Sequence, residues 1–298
     1  MSIKMKVNGL VRLTRVNEFL AFVTVTTLLG AAAAHGEFTW SLVGVLVANW
    51  LVVGFAFMIN DVEDAPDDAL TPSKAVRNPV SAGHLSSRFA TLASLFIAAL
   101  SFVIYALLGG WTFFFGVICI VISYIYSWRR IRLKNIAVLD FLSHIFMLAG
   151  LQYLCGYFTF TSTLNDIWFY PLLMVGSISL YGELFNEMRD LEGDKKAGLR
   201  HTAIVFGPTI TKWMMIISMT IGVISTVITF FFINIIAWWV IVLIIVIAAA
   251  MLLPPLIRMR RAKNAIQAQA PLHKPFEIAA ALGLLVQFIS PLALLMIK

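Results

Sequence analysis

The stretch "NDVEDAPDDALTPSKAVRNP", residues 60–79, directly follows an apolar run at 41–59. Asp61, Glu63, Asp64, Asp67 and Asp68 crowd its first nine positions. The 298-residue chain holds only 15 acids, so a third of its negative charge falls here. The chain as a whole is 60% hydrophobic and 12% charged. That is half of the roughly 25% charge usual in soluble domains, too little polar sequence to cover a large soluble core. Apolar runs near 20 residues recur, the length a helix needs to cross the hydrocarbon. The chain therefore reads as an all-α, polytopic membrane protein forming one integral membrane domain, 1–298.

Nine transmembrane helices are expected near 18–34, 41–59, 89–108, 111–128, 136–158, 168–188, 213–233, 236–256 and 276–297, with the break at Asn234 the least marked. Nine spans put the N-terminus and the loops after spans 2, 4, 6 and 8 on one side. That side collects 21 of the 22 Lys and Arg residues; the other holds Lys298 alone. Loops rich in Lys and Arg stay in the cytoplasm. The expected location is the plasma membrane, with the N-terminus and the acidic stretch cytoplasmic and the C-terminus outside. Span 1 also has features of a cleavable signal, basic residues before it and "GAAAAHG" after it, and removing it would leave the remaining orientation unchanged.

The net charge of +7 is scattered between spans, so it reads as a topology signal and not as a nucleic-acid footprint. The basic run "RMRRAK" at 258–263 is read in the same way. Cys119 and Cys155 lie inside apolar runs without metal-ligand spacing or a disulfide framework.

Asn60, Asp64 and Asp68 are spaced i, i+4, i+8, and Asp61 joins Asp64 and Asp68 at i, i+3, i+7, so a helix places them on one face. Pro66 is expected to strain that helix. A second cluster, "YGELFNEMRDLEGDKKAGLRHT" at 181–202, follows span 6. Its Glu183, Glu187, Asp190 and Asp194 again share one helical face. The two loops emerge on the same side and together hold ten of the 15 acids. Converging carboxylates repel one another and are stabilised by a cation between them. Mg²⁺ suits this setting, binding one or two carboxylates, waters and phosphate oxygens. Lys74 and Arg77 in the first loop, and Lys195, Lys196 and Arg200 in the second, supply the basic groups a phosphate also needs.

Here the residues become recognisable. NDxxDxxxD (Asn60, Asp61, Asp64, Asp68) and DxxxD (Asp190, Asp194) followed by Gly198 and Thr202 resemble the paired signatures of the UbiA superfamily of intramembrane prenyltransferases. The resemblance runs from about span 1 to the end of the chain. It implies nine helices around a central cavity under two cytosolic loops, and Mg²⁺-dependent transfer of a prenyl group from an allylic prenyl diphosphate. By the same resemblance Asn60, Asp61, Asp64, Asp68, Asp190 and Asp194 form the metal set, with Asp64, Asp68, Asp190 and Asp194 catalytic. Substrate-binding candidates are Asn17, Lys74, Arg77, Tyr126, Arg132, Lys134, Glu187 and Lys195. The acceptor is expected to be lipophilic or aromatic, with a quinone precursor favoured and an ether-lipid glycerol phosphate as the alternative. The chain departs from the family pattern at Arg77-Asn78-Pro79-Val80-Ser81-Ala82-Gly83, where members often read Arg-Pro-Ile-x-Ser-Gly, and at Asn186-Glu187, where many carry Lys-Asp. Neither changes the expected reaction class.

Tyr124, Tyr126, Tyr153, Tyr157 and Phe185 are candidates to face an allylic cation. Asp140 and His144, at i, i+4 in span 5, are expected either to line the cavity or, for Asp140, to partner Arg132 or Lys134. Glu183 is the deeper acid, placed to meet acceptor or metal network. Gln152 and Gln287 read as packing hydrogen bonds, while His84, His201 and His273 read as loop residues outside any metal set. Two other classes compete: a secondary transporter, which calls for acids near mid-membrane, and an assembly factor carrying relic motifs.

Overall fold

A computed structural model of the chain describes residues 3–259 and 273–296, and these are helical throughout apart from turns and loops. The chain runs through α1 (Ile3–Thr14), α2 (Val16–Ala33), α3 (Trp40–Asp68), α4 (Pro72–Arg77), α5 (Ser87–Leu108) and α6 (Gly110–Ser127). It continues through α7 (Leu139–Ile145), α8 (Leu151–Phe158), α9 (Phe169–Lys196), α10 (Thr202–Val227), α11 (Trp238–Met259) and α12 (His273–Met296). A π-helical turn, Phe146–Gly150, joins α7 to α8, and a second, Ile228–Phe232, extends α10.

The expected segments overlap helical residues, with 136–158 divided among α7, a π turn and α8 and 213–233 running from α10 into the second π turn. Among the described residues, six helical stretches are long and apolar enough to cross a membrane: Val16–Ala33, Trp40–Asp68, Ser87–Leu108, Gly110–Ser127, Leu139–Phe158 and Thr202–Phe232. The chain is a multi-pass membrane protein. Its outer faces carry Leu92, Phe96, Trp213, Ile216 and Ile217 exposed, as a lipid-facing surface should. The basic run at 258–263 falls largely outside the described residues, as does Lys298.

The breaks follow local chemistry. Thr39 caps α3 by accepting from the Leu42 N–H at 3.3 Å, and Ser86 caps α5 from the Phe89 N–H at 3.3 Å. Gly109 and Gly110, at φ 70 and 52, reverse the chain between α5 and α6. Asn234, at φ 52, makes the turn into α11 that the hydropathy only faintly marked. Pro66 lies inside α3 without ending it, so the helix carries the first motif as far as Asp68. Two helices were not anticipated, the short α4 and α1; α1 packs Leu10 and Leu13 against Val62 and Leu85, leaving Val7 and Val11 exposed.

The bundle centre depends on close backbone approach. A Cβ added at Gly30 would lie 2.1 Å from the Tyr153 carbonyl oxygen, and one at Gly156 2.2 Å from that of Thr27. These two glycines let α2 and α8 touch, as small residues do between membrane helices. Beside them Asn49 donates to Thr27 Oγ1 at 2.7 Å and to the Gln152 carbonyl at 3.0 Å, and the Tyr105 hydroxyl donates to Asn49 Oδ1 at 2.6 Å. Gln152 and Gln287 serve as expected: Gln152 donates to the Met147 carbonyl, and Gln287 spans Ala237 and Ile235.

Gly156→Ala should therefore lower thermal stability in detergent by about 1–3 kcal/mol, the usual cost of overpacking. Gly44→Ala, whose new Cβ meets only ordinary contacts from 3.5 Å outward, should leave the melting temperature unchanged or slightly raised.

Candidate active site

The last turns of α3 and α9 carry the two acidic motifs, and the α3 motif divides between two sets of partners. Asn60, Asp64 and Asp67 meet the segment between α6 and α7. Lys134 donates to Asn60 Oδ1 at 2.7 Å and to both Asp64 oxygens. Arg132 bridges Asp64 at 3.0 Å and Asp67 at 2.7 Å. Ser127, at the end of α6, donates to Asn60 Oδ1 at 3.0 Å. Asp61 and Asp68 turn elsewhere and are buried. Arg15 pairs with Asp61, and Asn78 Nδ2 donates to Asp68 Oδ2 at 2.9 Å and to the Asp61 carbonyl at 2.7 Å.

The α9 face descends toward the membrane as Asp194, Asp190, Glu187 and Glu183. Lys74 of α4 donates to Asp194 Oδ1 at 2.7 Å, which joins the two acidic segments directly. Burial alone would lower the Lys74 pKa, but that hydrogen bond and the charges of Asp194, Asp190 and Asp68 raise it. Lys74 thus feels both motifs at once. His201 lies between Glu187 Oε2 (3.2 Å) and Asp194 Oδ2 (3.4 Å). Burial pushes against its protonation, yet these two carboxylates raise its pKa to about 9. The Asp194 carboxyl is in turn held below its usual range: burial opposes this, and His201 and Lys74 outweigh it.

Several expected placements are revised. Asp140 accepts from the Thr202 hydroxyl at 2.7 Å and from its N–H, so it tethers the start of α10 and is not the partner of Arg132 or Lys134. Glu187 accepts from the Ala203 N–H at 2.9 Å. His201 was placed outside any metal set, whereas Asp140, Glu187 and His201 have donor atoms within 4.8 Å of one another. Both Asp140 oxygens are engaged by Thr202 and Glu187 Oε2 by Ala203, which ties the group across the α9–α10 turn. His273 opens α12 and does not sit in a loop. Tyr153 and Tyr157 are buried with their hydroxyls donating to Trp168 O and Thr163 O, at the opposite end of α9 from the acids, so they pack the bundle. Tyr124 stacks on Trp128 and Phe185 on Tyr181.

Asn17, Arg12, Arg15, Glu18 and Arg77 line a cavity of about 260 Å³ at the α1–α2 junction. Lys195 is exposed at the end of α9, away from the converging groups. Arg15, Asn78 and His201 escaped sequence reasoning. Asn78 had only its departure from the family pattern to mark it, and the other two carry no local spacing signal.

The residues fit a divalent metal. Their oxygens are hard donors, and the buried Asp61 Oδ2 and Glu187 Oε1 have no hydrogen-bond partner among the described residues.

A family model for UbiA prenyltransferases matches residues 22–274. The chain belongs to the UbiA prenyltransferase family. Two curated relatives are the chloroplastic chlorophyll synthase of Oryza sativa subsp. japonica and the bacteriochlorophyll synthase 33 kDa chain of Rhodobacter capsulatus. The first is 27% identical over 63% of this chain and 53% of its own length. The second is 23% identical over 57% of this chain and 56% of its own. The chain thus spans little more than half the length of the curated relatives it matches. A UbiA homologue from Archaeoglobus fulgidus, solved bound to GPP and Mg²⁺, superposes with a TM-score of 0.70 at 22% identity. That likeness covers 94% of this chain and 98% of the homologue, and it establishes the UbiA fold.

The His201 contacts make a pH-dependent contribution to stability. A folded-state pKa raised from 6.5 to about 9 adds stability that is fully present below pH 6.5 and lost as pH rises through about 9. In chelator, the melting-temperature difference between the parent protein and His201→Asn should be largest near pH 6.5 and shrink toward pH 9.5.

Proposed function

We propose that this protein transfers a prenyl group from an allylic prenyl diphosphate to an aromatic acceptor of the quinone-precursor kind, with Mg²⁺ bound between its two acidic motifs. The supporting observation is Lys74 on Asp194 at 2.7 Å. It brings the segment after α3 against the end of α9, so a cation from the first acidic segment meets an acid of the second. Asn60, Asp61, Asp64 and Asp68 on one side and Asp190 and Asp194 on the other are assigned as the Mg²⁺ ligands. When bound, Mg²⁺ neutralises charge building on the departing diphosphate, which can supply several kcal/mol.

The chain's own residues do the rest. Lys74, Arg132 and Lys134 now neutralise carboxylates and, with Arg77, are assigned to bind diphosphate oxygens once a metal takes those carboxylates. Fixed cations of this kind stabilise developing negative charge without reorganising during the reaction. Asn17 and Lys195 are assigned to the rim. The surrounding helices exclude water, which would otherwise trap the allylic cation as a prenol. The same reading has a single domain crossing the plasma membrane nine times around a central cavity; the distribution of Lys and Arg supports its acidic ends being cytoplasmic. A transporter calls for paired acids at mid-membrane; here the motif acids occupy the ends of α3 and α9, which favours the enzyme.

The test is purified protein with Mg²⁺, radiolabelled prenyl diphosphates and three acceptors: a phenolic acid, a prenylated glycerol phosphate and a propionate-bearing tetrapyrrole. Transfer to the phenolic acid, abolished by chelator, is the expected result; flux across liposomes without any prenylated product overturns the reading. Lys74→Ala removes a charge-assisted contact of about 1.5–3 kcal/mol and should raise the KM for prenyl diphosphate roughly 10- to 150-fold. Asp64→Ala and Asp190→Ala should each remove more than about 99% of activity, since groups that bind one metal act as a unit.

A further inference from the structure

Below the acidic mouth lies a run of partly buried polar contacts to which diphosphate binding assigns no role. The Tyr126 hydroxyl of α6 donates to Glu183 Oε1 at 2.9 Å. His144 Nε2 of α7 lies 3.3 Å from Glu183 Oε2, and Ser179 Oγ of α9 lies 3.3 Å from His144 Nδ1. Glu183 is 9% exposed, although it sits in a segment of α9 expected to be within the membrane. An ionisable group in such a place is costly and marks function. Four residues chosen only to knit helices together need not include a carboxylate and an imidazole. The Asn49 and Gln152 contacts elsewhere in the bundle do that work with neutral groups.

The position of Glu183 is informative. It precedes Asp190 by seven residues on the same face of α9, which at 1.5 Å per residue places it about 10 Å farther into the bundle. Tyr126, its donor, adjoins Ser127, which holds Asn60 of the first motif. The carboxylate therefore lies on the membrane side of the second motif and beside the inner, Asn60 end of the first, toward the allylic end of a prenyl diphosphate whose phosphates are held at the mouth. Besides Tyr126 and His144, the acids near it are Glu187 on its own helix and Asp140 on α7.

We propose that Glu183 is the base that takes the proton released by the acceptor, with His144 the residue that positions it. The assignment rests on the prenyl-transfer reading above. The ring π pair of the acceptor forms a bond to the allylic carbon, and the carbon–oxygen bond to diphosphate breaks with its pair leaving on oxygen. The ring carbon–hydrogen bond then breaks, its pair returning to the ring and its proton passing to a Glu183 oxygen. A carboxylate acceptor arrives ionised and gives up no proton at transfer, so it has no use for such a base. The site is built for an acceptor that loses a proton, an aromatic carbon above all.

The experiment measures Mg²⁺-dependent binding of a non-hydrolysable prenyl diphosphate analogue, together with turnover on a phenolic acid and on its ring-deuterated form. E183Q should bind the analogue within about 2-fold of the parent protein and lose about 10²–10⁴-fold in kcat, the usual worth of a general base. E183D should recover part of the rate and show a primary deuterium isotope effect absent from the parent, because ring deprotonation has become slow. H144N should lower kcat and leave KM for prenyl diphosphate unchanged. E183Q retaining kcat within a few-fold, E183Q losing binding as severely as turnover, or E183D without an isotope effect would each overturn the assignment. Parent protein that prenylates only the tetrapyrrole carboxylate also overturns it while leaving prenyl transfer intact. Parent protein that neither binds the analogue nor prenylates any acceptor sinks both.

Discussion

Carboxylates gathered at and just below the mouth of an apolar bundle repel one another, and a low-dielectric surrounding makes that repulsion worse. The fold resolves this by bringing a cation from a different segment to most of the acids in the motifs. Arg15 comes from the α1–α2 junction, Lys74 from α4, and Arg132 and Lys134 from the turn after α6. Neutralisation and tertiary structure are thus one event: the pairs that make the acids tolerable also tie together α2, α3, α4, α6 and α9. Arg132 shows the trade directly. Burial alone would lower its pKa, yet hydrogen bonding and charge from Asp67 and Asp64 raise it.

Away from the mouth the adhesion is of another kind. α2 and α8 touch where Gly30 and Gly156 face carbonyl oxygens, and neutral amides and hydroxyls fill the remaining polar needs. Charge gathers at one end and shape complementarity governs the other. This division lets the acidic end exchange partners while the helices behind it stay packed.

Much of this was legible because helical periodicity and hydropathy are local properties. The positions of the helices, the shared face of Glu183, Glu187, Asp190 and Asp194, and the break at Asn234 all follow from spacing along the chain. What escaped required knowledge of distant partners. Nothing near Asp140 shows that it will hold Thr202, 62 residues away. Nothing near His201 reveals the two carboxylates that flank it, and α1 was hidden because a short amphipathic helix looks like an ordinary polar leader. Pro66 misled in the opposite direction: missing one amide donor did not halt a helix whose acids were already fastened from both sides. The family signatures picked out the acids and their basic neighbours, whereas which acid meets which cation was set by three-dimensional packing.

Arg15 joins two roles in one residue. Its backbone is left-handed, at φ 48 and ψ 31, a conformation that costs a non-glycine residue roughly 1–2 kcal/mol, and its guanidinium is anchored on Asp61. The residue at which the leading helix bends away is thus the same one that neutralises a buried acid of the first motif, so the hinge of α1 and the electrostatics of α3 share one side chain.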